Sequence, residues 1–294
     1  MVRHAGNGDL ASPGELTFPP MIQLDRHDPS RLSKARGIVH DLGSVLVAYS
    51  GGVDSTLLLK LAIDELGERA IGILANSPAY PESEQEQARA VALQLGARLV
   101  EVTTNEVQLE AYMRNNPDRC FHCKEELFDT LEPVQRELEL DHLAYGATAD
   151  DAGDHRPGHG SAVRRGVRFP LLEAGMGKAE IRAAARTLGL PNWNKPSFAC
   201  LSSRIPHGTE VTVAALRQIG AAEAALKAIG FTQVRVRHHG DVARVEVEPF
   251  EIPRLVAERE RVVRALHEAG YTFVSADLEG YSTGSLNRTW KPGD

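Results

Sequence analysis

Between Leu42 and Tyr145 the chain alternates short apolar runs with stretches whose apolar residues recur at helical spacing. Ser44–Tyr49 (SVLVAY), Ala70–Ala75 (AIGILA), Ala97–Thr103 (ARLVEVT) and Asp141–Tyr145 (DHLAY) read as strands. Ser55–Leu66 and Glu82–Leu95 read as helices closed by Gly67 and Gly96, and Asp118–Leu140 as a helix open to a break at Pro133. Strand–helix alternation builds right-handed βαβ units, and a strand apolar on both faces belongs in a parallel sheet covered on both sides. The expected fold class is therefore α/β, a doubly wound parallel sheet. Ligands of such sheets sit beyond the carboxyl ends of the strands.

The pattern then changes. Lys178–Leu188 predicts a helix closed by Gly189 and Pro191, followed by a loop over Asn192–Gly208 and a helix over Ala214–Ile229. Gln233–His238 (QVRVRH) and Val242–Val247 (VARVEV) alternate strictly, the period of half-exposed strands. A helix over Glu251–Ala269 and a strand over Tyr271–Leu278 complete a smaller α+β unit. The expected division is a disordered lead-in over 1–20, a sheet domain over 21–208, and a small α+β domain for substrate binding or oligomerisation over 209–294.

Composition adds exclusions. Of 294 residues 42% are hydrophobic and 25% charged, ordinary for a water-soluble enzyme. No run approaches the ~18 apolar residues that span a bilayer, and Met1–Pro20 lacks the apolar core of a signal peptide, so a cytoplasmic protein with no membrane partner is expected. The net charge of -7 disfavours stable binding of nucleic acid. Basic clusters at Arg164, Arg165 and Arg168, and at Arg235 and Arg237, remain suited to small anions.

The first candidate chemistry lies in Ser50-Gly51-Gly52-Val53-Asp54-Ser55, between a strand and a helix. Glycines let backbone N–H groups approach a ligand, the helix N-terminus favours anions, and Ser50 and Ser55 add hydroxyls. The loop lacks the lysine of G-x-x-x-x-G-K-[ST], so it is a different phosphate cradle. Asp54 places a carboxylate beside the phosphates, which suits a Mg²⁺ between them. The second candidate is cysteine. Asp118–Lys124 holds C-x₂-C at Cys120 and Cys123, and Cys200 stands alone in Lys195–Arg204. By residue type alone this set fits zinc, a redox pair, an iron–sulfur cluster or three inert buried thiols. Three thiolates are one short of a closed tetrahedral site and match a [4Fe–4S] cluster with one open iron. Asp150, Asp151 and Asp154 crowd one loop, where they could ligate Mg²⁺, fix Arg156-Pro157-Gly158, or form a polar turn.

SGGVDS resembles the PP-loop of the N-type ATP pyrophosphatases, the group of NAD synthetase, GMP synthetase and the tRNA thiolases. That resemblance implies adenylation: a nucleophile attacks the α-phosphate of ATP and pyrophosphate leaves. It also places Asn76 and Ser77, after the second strand, where such folds hold adenine or ribose. A narrower resemblance covers Leu42 to Asn287 through SGGVDSTLLL, RCFHCKEELF, GATADDAGDHRPG with FPLLEAGMGKAEIR, and LGLPNWNKPSFACLSSRIPHG leading into RVRHHGDVARVEV. These segments are similar to the LarE family of ATP-dependent sulfur transferases, which serve the nickel-pincer nucleotide cofactor of lactate racemase.

The resemblance implies pyridinium-3,5-biscarboxylic acid mononucleotide as substrate, its carboxylates adenylated and then converted to thiocarboxylates. Ser203, Arg204, Arg235, Arg237 and Glu246 would line the substrate pocket, with the arginines on its phosphate and carboxylates. For Arg235 and Arg237 a solvated strand face is an equal expectation from sequence. Lys178 and Trp193 are recurrent family positions. The family draws sulfur either from a single cysteine at the Cys200 position, which becomes dehydroalanine, or from sulfide on a [4Fe–4S] cluster held by three cysteines. Cys120, Cys123 and Cys200 imply the cluster type, and family precedent implies a homo-hexamer. Three rival readings stand beside it. A tRNA 2-thiolation enzyme is weakened by the acidic charge and by the absence of further C-x₂-C pairs. An ammonia-using synthetase and a non-enzymatic ATP sensor both leave the cysteines unexplained.

Overall fold

A computed structural model describes residues 29–153 and 157–282. The first half runs α1 (Pro29–His40), β1 (Val45–Tyr49), α2 (Val53–Leu66), β2 (Ala70–Asn76), α3 (Glu82–Gln94), β3 (Arg98–Thr103), α4 (Glu110–Met113), α5 (Arg119–Glu137) and β4 (His142–Tyr145). It continues through α6 (Pro157–Arg164), α7 (Pro170–Glu173), α8 (Lys178–Thr187) and α9 (Val213–Ile229) to β5 (Val234–His239) and β6 (Val242–Val247). Two short helices, α10 (Ile252–Ala257) and α11 (Arg259–Glu268), precede β7 (Phe273–Ala276).

The main sheet is parallel throughout, with strand order β3-β2-β1-β4. Strand β1 is buried along its whole length because its two faces feed two cores. Val45, Val47 and Tyr49 pack with α1, α2 and α8, whereas Leu46 and Ala48 pack with Ile71, Ile73 and Phe128. This is the both-sides-covered sheet that the apolar run predicts. The chain runs outward from β1 to β3 and returns to the other side of β1 for β4. The crevice between β1 and β4 is thus the switch point where such folds bind ligands.

A second sheet, β5-β6-β7, pairs β5 with β6 antiparallel and β6 with β7 parallel. Gly240, at φ 63°, takes the tight turn between β5 and β6. Helix α9 joins the two halves: Ala222 and Leu226 pack in the core of the small sheet, while Ala215, Leu216 and Ile219 pack with Ala79, Tyr112 and Leu201.

Three expectations are corrected. Strand β5 is not half-exposed, since Val234, Arg235, Val236 and Arg237 are all buried. Its valines face the small core and its arginines face the Asn192–Gly208 loop, a cover that alternation cannot reveal. Helix α5 runs unbroken through Pro133, anchored by the fully buried Phe128 and Leu131. The expected single helix over Glu251–Ala269 divides at Glu258, whose carboxylate accepts Arg254 Nε at 2.9 Å and Arg261 at 2.7 Å. Helix α1 is an addition to the elements that the pattern predicts. The 1–20 segment, Asp154, Arg156 and Asn287 lie outside the described residues. Among the described residues no helix is long and apolar enough to cross a membrane.

Candidate active site

The Ser50–Ser55 loop leaves the carboxyl end of β1 and opens α2. Gly51 has φ 70°, a left-handed conformation that side chains resist, and a Cβ there would lie 2.6 Å from Ala88 Cβ. Tyr49, whose hydroxyl donates to Ala88 O at 2.9 Å, draws α3 against the loop. Burial pushes the Tyr49 phenol up to about 12, so it stays a donor at neutral pH. Ser50 N donates to Ser55 Oγ at 3.2 Å, and the two hydroxyls lie 3.2 Å apart. Gly146, just beyond β4, fits under α2 only without a side chain, because a Cβ would lie 3.0 Å from Ser55 N.

Sequence reasoning assigned no role to two residues that complete this cradle. Asn192 donates to Gly51 O at 3.0 Å and to Thr56 Oγ1 at 2.9 Å. Lys195 Nζ lies 3.4 Å from Gly51 O and 2.9 Å from Glu84. Both fall in the LPNWNKP stretch, where the only signal was resemblance. Lys195 brings from a distant segment the cation that the loop itself lacks.

Asp54 is largely buried, which raises its carboxyl above the ordinary range. Asp151 and Asp150 raise it further, while Lys178 and Arg182 oppose the shift. Crowded carboxylates beside a phosphate cradle are a donor set that fits Mg²⁺. Asp150 and Asp151 also have local duties. Asp150 accepts Lys178 N at 2.5 Å, capping α8, and Asp151 accepts both Thr148 N and Thr148 Oγ1 at 3.0 Å. After β2, Asn76 is engaged with Glu101 at 2.8 Å and Arg89 at 3.3 Å. Ser77 is buried, donates to Glu106, and accepts Ala79 N at 3.0 Å. Their place at the carboxyl end of β2 suits a nucleoside, but those side-chain contacts lie within the protein.

The cysteines converge. Cys123 on α5 and Cys200 in the loop before α9 pack against one apolar cluster with Tyr112 and Leu201. Cys120 is exposed one turn earlier. Burial pushes the Cys123 thiol well up, and Glu106, Cys200 and Cys120 add to the shift, which places the three sulfurs within one another's electrostatic reach. Among the described residues no three His, Cys, Asp or Glu side chains gather as a single metal ion requires. Thiolates on three corners of a [4Fe–4S] cube bind separate irons and stand apart, so this donor set fits a cluster better than one ion.

The remaining predicted residues lie on the far wall. Arg235 is 6% exposed, its guanidinium flanked by the rings of Phe198 (5.8 Å) and Tyr281 (5.3 Å), and NH1 donates to Val234 O at 2.9 Å. No carboxylate stands within ion-pair distance of it among the described residues, and burial followed by the Arg204 charge lowers its pKa. Arg237 pairs with the fully buried Glu246 at 2.6 Å and donates to Ser203 O at 2.8 Å. Arg204 is fully buried against Glu223, a partner on α9 that sequence reasoning missed because nineteen residues separate them.

A glycine-bearing loop at the switch point of a 3-2-1-4 parallel sheet, followed by a helix N-terminus, defines the PP-loop ATP pyrophosphatase class. In accord, the NAD synthase family model matches residues 36–129. An uncharacterized protein of Synechocystis is 42% identical over 261 residues, 88% of this chain and 97% of its own. The pyridinium-3,5-bisthiocarboxylic acid mononucleotide synthase of Lactiplantibacillus plantarum is 36% identical over 250 residues, 85% of this chain and 91% of its own. The chain belongs to the family of that synthase, the LarE-like ATP-dependent sulfurtransferases. Similarity to a glutamine-hydrolyzing GMP synthase of Sulfurisphaera tokodaii is more distant, 26% over 62% of this chain and 52% of the relative.

Proposed function

We propose that this protein adenylates the carboxylates of pyridinium-3,5-biscarboxylic acid mononucleotide and converts them to thiocarboxylates, a step in building the nickel-pincer nucleotide cofactor. The observation that carries this reading is the convergence of Cys123 and Cys200 on one apolar wall beside the sheet end that holds the phosphate cradle. A substrate carboxylate oxygen attacks the α-phosphorus, the bond to the bridging oxygen breaks, and pyrophosphate leaves into the Ser50–Ser55 loop. Backbone N–H groups, Ser50, Ser55 and Lys195 offset its charge. Asp54 would hold a Mg²⁺, which supplies further charge neutralisation. Sulfur then adds to the acyl carbon, the carbon–oxygen bond to AMP breaks, and the thiocarboxylate and AMP separate. Cys120, Cys123 and Cys200 would hold a [4Fe–4S] cluster, which supplies the transferable sulfide.

Arg235 supports the choice of substrate, since a buried cation without a carboxylate partner suits the substrate's phosphate or free carboxylate. The small C-terminal unit, from residue 209, thereby serves substrate binding. The test is incubation of anaerobically purified protein with ATP and the mononucleotide. Pyrophosphate, AMP and a product with sulfur in place of oxygen are expected, together with iron and acid-labile sulfide in the protein. Iron-free protein that loses sulfur from Cys200 after one turnover replaces the cluster route with the sacrificial one. Pyrophosphate release without a sulfur-bearing product overturns the proposal.

A further inference from the structure

The loop over Asn192–Gly208 has little regular structure beyond one turn at Leu201–Arg204, yet the carbonyls around Cys200 are fixed by buried guanidinium groups from three separate elements. Arg204 NH1 donates to Ala199 O at 2.7 Å, Cys200 O at 3.1 Å and Ser203 Oγ at 2.8 Å. Its other two nitrogens hold Glu223, Nε at 2.8 Å and NH2 at 3.1 Å. Arg119, next to Cys120, donates to Ser202 O at 3.0 Å and to Asn115. Arg237 takes Ser203 O at 2.8 Å from β5. The Tyr112 and Ser202 hydroxyls meet at 2.5 Å, and Leu201 N donates to Ala79 O at 2.8 Å. Asn115, fully buried at φ 54°, extends the same anchorage by donating to Ile205 O, Pro206 O and Thr209 O.

All three Arg204 nitrogens are therefore engaged within the protein. A phosphate bound there would have to displace Glu223 or release the Cys200 backbone. Glu223 in turn is fixed by Val236 N at 3.0 Å, so α9, β5 and the cysteine loop share one buried carboxylate. Arg119 ties the same loop to the helix that carries Cys120 and Cys123. Ordering an irregular loop opposes chain entropy, and a fan of charge-assisted bonds to successive carbonyls counters that loss at the segment that must be held still.

We propose that Arg204, seated on Glu223, acts with Arg119 as a latch that sets Cys200 at a fixed place relative to Cys120 and Cys123. Arg204 is thus a positioning residue and not a substrate ligand, an assignment that rests on the sulfur-transfer reading for its purpose. The latch is built into the chain itself, so it holds Cys200 before any iron or nucleotide arrives.

Two arms test this on the full-length apoprotein, comparing wild type with Glu223→Gln and Arg119→Lys. In the first, iodoacetamide modification of each cysteine is timed by peptide mass spectrometry. Local release of the loop predicts that Cys200 reacts at least ~5-fold faster in either variant, while Cys120 stays within about 2-fold. In the second, mononucleotide-dependent ATP–pyrophosphate exchange is compared with sulfur transfer. Glu223→Gln should leave the exchange KM for the mononucleotide within about 2-fold, while sulfur transfer falls by roughly 10²-fold through misplacement of the sulfur. Unchanged Cys200 reactivity in both variants overturns the latch, as does a parallel rise at all three cysteines, which marks general loosening. A raised mononucleotide KM with equal losses in exchange and transfer returns Arg204 to the substrate pocket. If wild type shows no mononucleotide-dependent exchange, the function reading fails and the alkylation arm alone decides the latch.

Discussion

Two loops meet over the same sheet, and they are held by opposite means. The Ser50–Ser55 loop is shaped by backbone conformation and steric fit: a left-handed Gly51 pressed on Ala88, and a Gly146 that lets α2 sit close. The Cys200 loop is shaped by charge, with buried arginines on its carbonyls and Glu223 beneath. A phosphate cradle must expose its own N–H groups to an anion, so its shape comes from glycine. A loop that presents sulfur must keep its carbonyls satisfied while facing a cavity, so it draws on donors from elsewhere. The first device is local in sequence, and the second is spread from Arg119 to Arg237.

The comparison can be broken by mutation, and the largest effect is expected at the sulfur. Cys200→Ala should abolish thiocarboxylate formation, by ~10⁴-fold or more, and leave mononucleotide-dependent pyrophosphate exchange intact, because removing a transferring group spares an earlier step. Parallel loss of both reactions would show that the two loops do not act in sequence. Glu223→Ala should destabilise the fold by about 3–5 kcal/mol, since Arg204 would be left buried without its carboxylate. Urea unfolding measures this, and a change below about 1 kcal/mol would mean that water reaches Arg204.

Gly51→Ala challenges the other device. The positive φ and the 2.6 Å approach to Ala88 should cost roughly 2–3 kcal/mol and weaken ATP binding, read by denaturation and calorimetry. Sulfur-loop reactivity at Cys200 should not change in this variant. The smallest effect is expected at Arg235. Its replacement by Ala should raise the KM for the mononucleotide by about 10–30-fold, or ~1.4–2 kcal/mol, with little change in that for ATP. An unchanged KM would place the substrate's anions elsewhere.

How much of this was legible follows from the same contrast. Strands β1 to β4 and the helices between them were readable because burial on both faces leaves unbroken apolar runs and glycines mark the helix ends. The cradle was readable because Gly51, Gly52, Asp54 and Ser55 are neighbours in sequence. The nearness of Cys200 to Cys123 was not, since it depends on Leu201, Tyr112 and α9 packing across long separations. Arg235 and Arg237 looked like an exposed strand face because alternation reports only that two faces differ. It cannot show that the polar face is covered by another segment. Glu223 sits in a helix as an ordinary acidic residue and acquires its meaning only from Arg204 on the opposite side.

The central claim is that the substrate carboxylate is activated at the cradle and meets sulfur at the cysteine wall. The direct measurement is one turnover with mononucleotide whose carboxylates carry oxygen-18. Attack on the α-phosphorus followed by displacement at carbon must leave one labelled oxygen in AMP for each sulfur gained by the product. Labelled AMP in that ratio is the predicted result. Unlabelled AMP alongside a sulfur-bearing product would contradict the account, because the carboxylate would then never have been joined to the nucleotide.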